Sequence, residues 1–394
     1  MAHSMTATGC EQPARVFISV AEDSADVHAA ALVRAARTHL PGCAFFGLTG
    51  PRLRDEGVET IDDLAAHAAM LTGTIGLIRR GWRALRRVEA AWDARRPDLV
   101  VLLDSPELHL PLATRARRRG LPVLYYIAPQ TWASRAGRNR RIARDVDRLA
   151  CILPFEEAYF RAAGVRAEYV GHPLFETLRR EQADPQRVAR LRSGVGATIA
   201  LLPGSRRHVV QTMLPLQLRV LGALRARGVA LHAAVSAASP DRAQQIRAIL
   251  GGATPAVEVV EQDNASLLAA ADLVLVASGT ATLHVAHYRK PMVVMYDAGR
   301  VAGAAFRIAG RLVIKTPHLS LVNILARRRV VPEFMPTVRD PDAVGRVAAA
   351  LLGDATWRNL MIRQIGETIR PLEQAPASEN VCRIMREMLA RHPG

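Results

Sequence analysis

Ala277-Ser278-Gly279-Thr280-Ala281-Thr282-Leu283 follows directly on the apolar run 273–276. A buried strand that opens through Ser-Gly-Thr into a helix leaves unpaired backbone N–H groups, and the positive end of a helix dipole, aimed at one spot. That suits a diphosphate. The device occurs twice: Ile199-Ala-Leu-Leu-Pro-Gly204-Ser205-Arg206 is a second apolar strand ending in a Gly-Ser turn. Here a guanidinium is added that can fork onto phosphate oxygens. Two strand-turn-helix anion sites in one half of the chain point to a nucleoside diphosphate held between them.

Working outward, short apolar segments alternate with helical patterns almost throughout. Strands are expected at 15–19, 44–47, 99–103, 123–127 and 149–153, with a helix over 25–38. After a polar break at 181–196 come strands at 199–202, 231–235, 257–260, 273–276 and 292–295. Continuous apolar strands separated by helices mean parallel sheets covered on both faces. The expected fold is therefore α/β, with two doubly wound Rossmann-like domains facing across a cleft and C-terminal helices. The expected boundaries are 14–185, 196–355 and a helical tail 356–394, which Pro371 and Pro376 divide. Val381, Ile384, Met385, Met388 and Leu389 form an apolar stripe on that tail which must pack on something.

The 394 residues carry a net charge of +17, almost all of it arginine, since Lys290 and Lys315 are the only lysines. Genomic composition accounts for such a bias as well as an acidic partner does, whether nucleotide, nucleic acid or anionic lipid. Aromatic residues make up 5%, too few for stacking platforms, and no nucleic-acid-binding signature is present, so nucleic acid is not an expected partner. Cys10, Cys43, Cys151 and Cys382 are far apart with no CxxC spacing, which suits thiols in a reducing compartment. No secretory signal pattern opens the chain, and no apolar run reaches the roughly 20 residues of a spanning helix. A cytoplasmic location is expected.

In the N-terminal half, Asp104 directly follows the strand 99–103 and precedes Pro106. A carboxylate there faces the cleft and can take a proton from a sugar hydroxyl; it equally reads as a cap of the next helix. Glu22, Ser24, Asp26 and His28 lie in the turn after the first strand, either as acceptor-binding or base groups or as caps and solvent contacts. Gln130 and Trp132 put an amide and an indole at the cleft rim, where a sugar face stacks on Trp. His172, beside a Gly-Pro turn, reads as structural. Met70, Leu71, Ile75, Leu77, Ile78 and Trp82 are followed by Arg79, Arg80, Arg83, Arg86 and Arg87, which suits either a bilayer interface or an ordinary amphipathic helix with a basic face.

Taken in order, these stretches resemble the lipid-A-disaccharide synthase family. The carrying motifs are Glu22-x-Ser24-x-Asp26-x-His28, Gly50-Pro51-Arg52 with Gly57, Asp104-x-Pro106, and Tyr126-x-x-Pro129-Gln130-x-Trp132-Ala133. They continue with 152–156, 171–174, 201–206, 277–283, 291–294, Ser320-Leu-x-Asn323 and Pro332-Glu333. The resemblance implies a GT-B fold, an inverting and metal-independent glycosyl transfer, and no cofactor. It implies a UDP-2,3-diacylglucosamine donor, held mainly by the C-terminal half, and a diacylglucosamine 1-phosphate acceptor.

Asp104 matches the position of the general base. Gly204, Ser205, Arg206, Ser278, Gly279, Thr280, Ala281, Thr282 and His284 match the donor site. Glu22, Ser24, Asp26, His28, Gln130, Trp132 and Asn323 fall to the acceptor. The 70–82 segment matches a membrane-contacting patch, which implies peripheral attachment to the anionic inner-membrane surface. Exchange of C-terminal segments in a homodimer would give the tail stripe a partner.

The chain departs from the family's pattern at several positions. Ala21, Ala25 and Ala29 replace glycines, His109 stands in place of Asn, Ser134 in place of a second Trp, and Val209 in place of Glu. His284 replaces a Glu expected to accept from the ribose hydroxyls. The lost glycines and His284 keep open a non-catalytic nucleotide-sugar or lipid-binding paralogue, and a sugar-nucleotide epimerase, which needs no second substrate, is a third reading.

Overall fold

The computed structural model describes residues 13–62, 74–251, 257–299 and 317–391. These residues form two compact units, one of 1–173 with 375–394 and the other of 174–374. The division after Pro173 comes earlier in the chain than the polar break at 181–196. The expected tail is shared out: the helix Ala355–Gln374 belongs to the second unit and Ala377–Arg391 to the first. Pro371 lies inside the first of these helices, so only the break at 375–376 divides the tail.

The first unit is built on a seven-stranded sheet in the order β3-β2-β1-β4-β5-β6-β7. Its strands are β1 (Arg15–Ser19), β2 (Ala44–Leu48), β3 (Glu59–Asp62), β4 (Leu99–Leu103), β5 (Val123–Tyr126), β6 (Arg148–Cys151) and β7 (Ala167–Tyr169). The second unit has a six-stranded sheet, β10-β9-β8-β11-β12-β13. It comprises β8 (Ala197–Leu202), β9 (Leu231–Ala237), β10 (Glu258–Glu261), β11 (Leu273–Ala277), β12 (Met292–Met295) and β13 (Glu333–Phe334). Every pairing in both sheets is parallel. The two doubly wound sheets agree with the fold expected from the alternation of strands and helices.

The physical reason is plain in the central strands. All five side chains of β4 and all five of β11 are buried, as a strand covered by helices on both faces requires. In each sheet the chain winds one way from the first strand and later the other way. The order therefore reverses at β1/β4 in the first unit and at β8/β11 in the second. At such switch points the loops leaving neighbouring strands diverge, and the carboxyl edge opens between them.

The tail stripe finds its partner within the first unit. Val381, Ile384, Met385 and Met388 are buried in one core with Leu32, Val33 and Ala36 of the helix Asp23–His39, and Leu389 packs against it. Asn380 Nδ2 donates to the Val170 carbonyl at 2.9 Å, and Glu387 pairs with Arg148. The stripe is therefore buried within this one chain. Ala25 and Ala29, expected to deny a ligand close approach, are buried in the same core. Their methyls contribute to packing there.

Candidate active site

In the second unit, β8 and β11 pair in register with Leu202 opposite Val276, so the turns that follow them lie side by side. A Cβ built on Gly204 would come within 3.9 Å of the Ala277 Cβ and 3.0 Å of Val209 Cγ1. With φ at +106°, this position admits only glycine. Val209 thus packs against the turn, which is the structural use of the residue standing in place of Glu.

Gly204, Ser205 and Arg206 lead into the helix Arg207–Arg225, and 278–280 lead into Ala281–His287; neither helix has an acidic residue in its first turn. Ser205, Arg206, Gly279 and Thr280 are exposed, and a Cβ at Gly279 would meet nothing within 4 Å. Ser278 N–H is occupied by the Met295 carbonyl, and the buried Thr282 hydroxyl donates to the Gly279 carbonyl at 2.8 Å. Ser278 and Thr282 shape the turn, while Gly279 and Thr280 offer it to solvent. The starts of two helices and the Arg206 side chain thus come to one switch point, an arrangement whose chemistry suits an anion.

His284 lies one turn further on, its Nε2 3.2 Å from Glu181 Oε2, at an angle that makes no hydrogen bond. A carboxylate is therefore present beside position 284, supplied by a different segment. Nothing in the local sequence around Glu181 signals this.

In the first unit, Asp104 stands at the end of β4, at the β1/β4 switch point. Asp104 and Ser105 have φ of +51° and +43°, two successive left-handed residues without glycine. Such a turn is strained and persists only where its surroundings hold it. The Asp104 N–H donates to the Tyr126 carbonyl at 3.0 Å, while its own carbonyl accepts from Tyr125 Oη at 2.5 Å and His109 Nδ1 at 2.8 Å. The His109 ring reaches Ser19 Oγ, the last residue of β1, at 2.9 Å. Ser19 and Tyr125 were not among the expected site residues; a lone serine closing an apolar strand is the only trace of the first.

Three expected acceptor residues have structural work instead. Asp26 is buried, and its carboxylate accepts from the N–H groups of Gly50 (3.1 Å), Arg52 (2.8 Å) and Leu53 (3.1 Å). It caps the helix Pro51–Asp55, and a Cβ at Gly50 would fall 2.4 Å from the Asp26 carboxyl carbon. Trp132 is no open stacking platform: it is buried, its indole N–H donates to Glu156 Oε1 at 2.9 Å, and Phe155 meets it edge-on. Asn323 is buried with all four amide bonds made. Its Nδ2 donates to the Val331 carbonyl and Glu333 Oε2, and its Oδ1 accepts from Val330 and Val331 N–H.

Glu22, Ser24 and Gln130 are exposed, and His28 is partly so, with a sealed Nδ1 that has no hydrogen-bond partner among the described residues. Burial lowers His28 to about 4, and burial together with His28 lowers His172 to about 3. Met70 and Leu71 lie outside the described residues. Ile75, Leu77, Ile78 and Trp82 fall on the helix Thr74–Arg95, and their side chains lie outside the description as well. Among the described residues no helix is long and apolar enough to cross a membrane.

Comparison with known proteins follows the same lines. The lipid-A-disaccharide synthetase family model matches residues 16–379. The lipid-A-disaccharide synthase of Myxococcus xanthus is 35% identical over 381 residues, covering 96% of this chain and 98% of that protein. That of Syntrophus aciditrophicus is 36% identical over 354 residues, 89% of this chain and 91% of the relative. Among solved structures, S. aureus MnaA with UDP superposes with a TM-score of 0.66 at 13% identity, covering 96% of this chain and 97% of that one. The kitacinnamycin glycotransferase gives 0.61 at 16%, covering 96% and 99%. At those identities the two structures establish the fold, which is GT-B. The family model and the curated relatives, matched over nearly their full lengths, establish descent: this chain belongs to the lipid-A-disaccharide synthase family of glycosyltransferases.

Proposed function

We propose that this protein transfers a diacylglucosaminyl unit from UDP-2,3-diacylglucosamine to diacylglucosamine 1-phosphate, with inversion at the anomeric carbon. The observation that carries the reading is the placement of the chemistry at both switch points: a carboxylate at β1/β4 and a paired anion cradle at β8/β11. The relatives' names supply the product class, and the UDP of the MnaA structure agrees with a cradle for a nucleoside diphosphate.

In the transfer, Asp104 takes the proton of the acceptor hydroxyl as that oxygen attacks the anomeric carbon. A carbon–oxygen bond forms, the bond from the anomeric carbon to the β-phosphate oxygen breaks, and its electron pair leaves with UDP. Negative charge grows on the departing diphosphate, where Arg206 and the N–H groups of 279–281 meet it. Donors fixed before the reaction stabilise such charge without reorganising. Gly204, Ser205, Ser278 and Thr282 hold the turns in shape. To Glu181, whose carboxylate lies 3.2 Å from His284, we assign the acceptor role toward the ribose hydroxyls. Glu22, Ser24 and Gln130, exposed on the first unit, and the ring edge of His28 serve the acceptor.

The helix Thr74–Arg95 carries Arg79, Arg80, Arg83, Arg86 and Arg87, and the chain bears +17 overall. Both support contact with an anionic membrane surface, where acylated substrates reside. The transfer is tested by mass spectrometry of products after incubation with the two substrates. A disaccharide is expected from the native protein and none from Asp104→Asn, whose affinity for UDP stays as it was. Undiminished turnover in Asp104→Asn removes that carboxylate from the mechanism, and UDP released without disaccharide, which is hydrolysis of the donor, overturns the transfer reading.

A further inference from the structure

Resting on the assignment of Asp104 as base, we infer that His109 is a positioning residue, which fixes the carboxylate by gripping the Asp104 carbonyl rather than by touching substrate. The tautomer follows from the partners. A carbonyl can only accept, so the Nδ1 that lies 2.8 Å from the Asp104 oxygen carries the proton. Nε2 is then an acceptor, and the Ser19 hydroxyl must donate to it across 2.9 Å. Ser19 and His109 are both fully buried, so the relay is sheltered from competing water. Burial also holds His109 near 4, well below its usual value, so the ring stays neutral at working pH and the arrangement does not switch.

The relay spans the place where the turn is weakest. Rotation of the peptide between Asp104 and Ser105 would relieve the left-handed φ of Ser105, +43°, and would swing the carbonyl away. Two donors hold that carbonyl, His109 Nδ1 and the Tyr125 hydroxyl. Burial, with the negative Asp104 nearby, keeps Tyr125 well above its ordinary pKa, so it retains the proton it donates. Ser19 ends β1 and Asp104 follows β4, so the chain Ser19, His109, Asp104 ties the two strands of the switch point together through one ring. The direction of the carboxylate is thereby a property of the backbone.

Substitutions at His109 separate its two bonds. Asn places an amide donor where Nδ1 lies and keeps the grip on Asp104, whereas Gln reaches the Nε2 position and keeps only Ser19. Kinetics with UDP-2,3-diacylglucosamine and diacylglucosamine 1-phosphate should show kcat down about 10–100-fold in His109→Gln, the range for a misplaced reacting group. Both KM values should stay within about threefold, and UDP affinity should be unchanged. His109→Asn should recover most of the lost kcat. Tyr125→Phe, which removes the second donor with little change of shape, should lower kcat about 3–10-fold with the same pattern.

Equal kcat in the Asn and Gln variants, both folded by their far-UV melting curves, overturns the inference even if Asp104→Asn is inactive. An active Asp104→Asn overturns the assignment of the base itself. The two failures are thus read from different variants.

Discussion

Four titratable groups of the first unit, His28, His109, Glu156 and His172, are shifted by burial, and their combined effect makes the unit acid-sensitive. His109 and His172 are almost wholly buried, and burial lowers them from 6.5 to about 4 and about 3. Each is neutral in the fold at a pH where the unfolded chain has already bound a proton. Their stabilisation is present above pH 6.5 and is lost as pH falls toward 4, amounting at pH 5 to about 2 kcal/mol each. His28, lowered to about 4, acts in the same sense, with less weight because part of the residue meets solvent.

Glu156 opposes them. Burial raises its carboxyl from 4.5 to about 7 against the three donors it accepts from, Trp132 Nε1 and the N–H groups of Ile152 and Leu153. The folded chain then holds a proton that the unfolded chain has released, so this group adds stability as pH falls from 7 toward 4.5, about 2.5 kcal/mol at pH 5. The histidines win, with a net loss of about 2–3 kcal/mol between pH 8 and pH 5. Urea unfolding at pH 8, 6.5 and 5, followed by the fluorescence of the buried Trp92 and Trp132, measures it. Glu156→Gln removes the opposing contribution and should steepen the loss by about 2.5 kcal/mol. Stability that is flat or rising from pH 8 to 5, or the same slope in the Gln variant, would show that the burial argument is wrong.

Two further outcomes follow from the corrected assignments. Asp26→Ala leaves three N–H groups at the start of Pro51–Asp55 without their acceptor and should cost about 3–5 kcal/mol in denaturant unfolding, while Asp26→Asn, which keeps one oxygen, should cost less than half of that with acceptor KM unchanged. A raised KM in the Asn variant would return Asp26 to the substrate site. Asn323→Leu breaks four buried hydrogen bonds and should lower stability of the second unit by about 3–4 kcal/mol; a native-like unfolding midpoint would show that water or a shifted backbone replaces them.

Much of this was legible in the sequence, for reasons that differ by position. Central strands such as β4 and β11 are continuous apolar runs, and burial on both faces demands that composition, so they announce themselves. The edge strands β3 and β7, and the two-residue β13, were not expected. Their sequences, Glu-Thr-Ile-Asp, Ala-Glu-Tyr and Glu-Phe, are short and polar, as unpaired edges tend to be, and give no apolar signal. The donor turns were legible because strand, glycine and helix follow one another within a few residues. Trp132 and Asp26 were misjudged because their partners are distant along the chain: Glu156 is 24 residues away, and Gly50 to Leu53 are 24 to 27 away.

The misjudged and the retained residues differ in one physical respect. A polar side chain inside the fold must have its hydrogen bonds made there, since an orphaned buried group costs about 1–3 kcal/mol. Asp26 and Asn323 meet that demand completely and have nothing left to offer a substrate. Gly279 and Thr280 are exposed on a turn whose glycine, at φ +139°, has open space where a Cβ would stand. That exposure on a turn leading into a helix is what the proposed donor role of Gly279 and Thr280 requires. Asp104 stands between these extremes: its main chain is fully engaged by Tyr126, Tyr125 and His109, and its side chain is partly exposed. The base role proposed for Asp104 needs that division, because the backbone bonds fix the direction of a side chain that still has to exchange a proton.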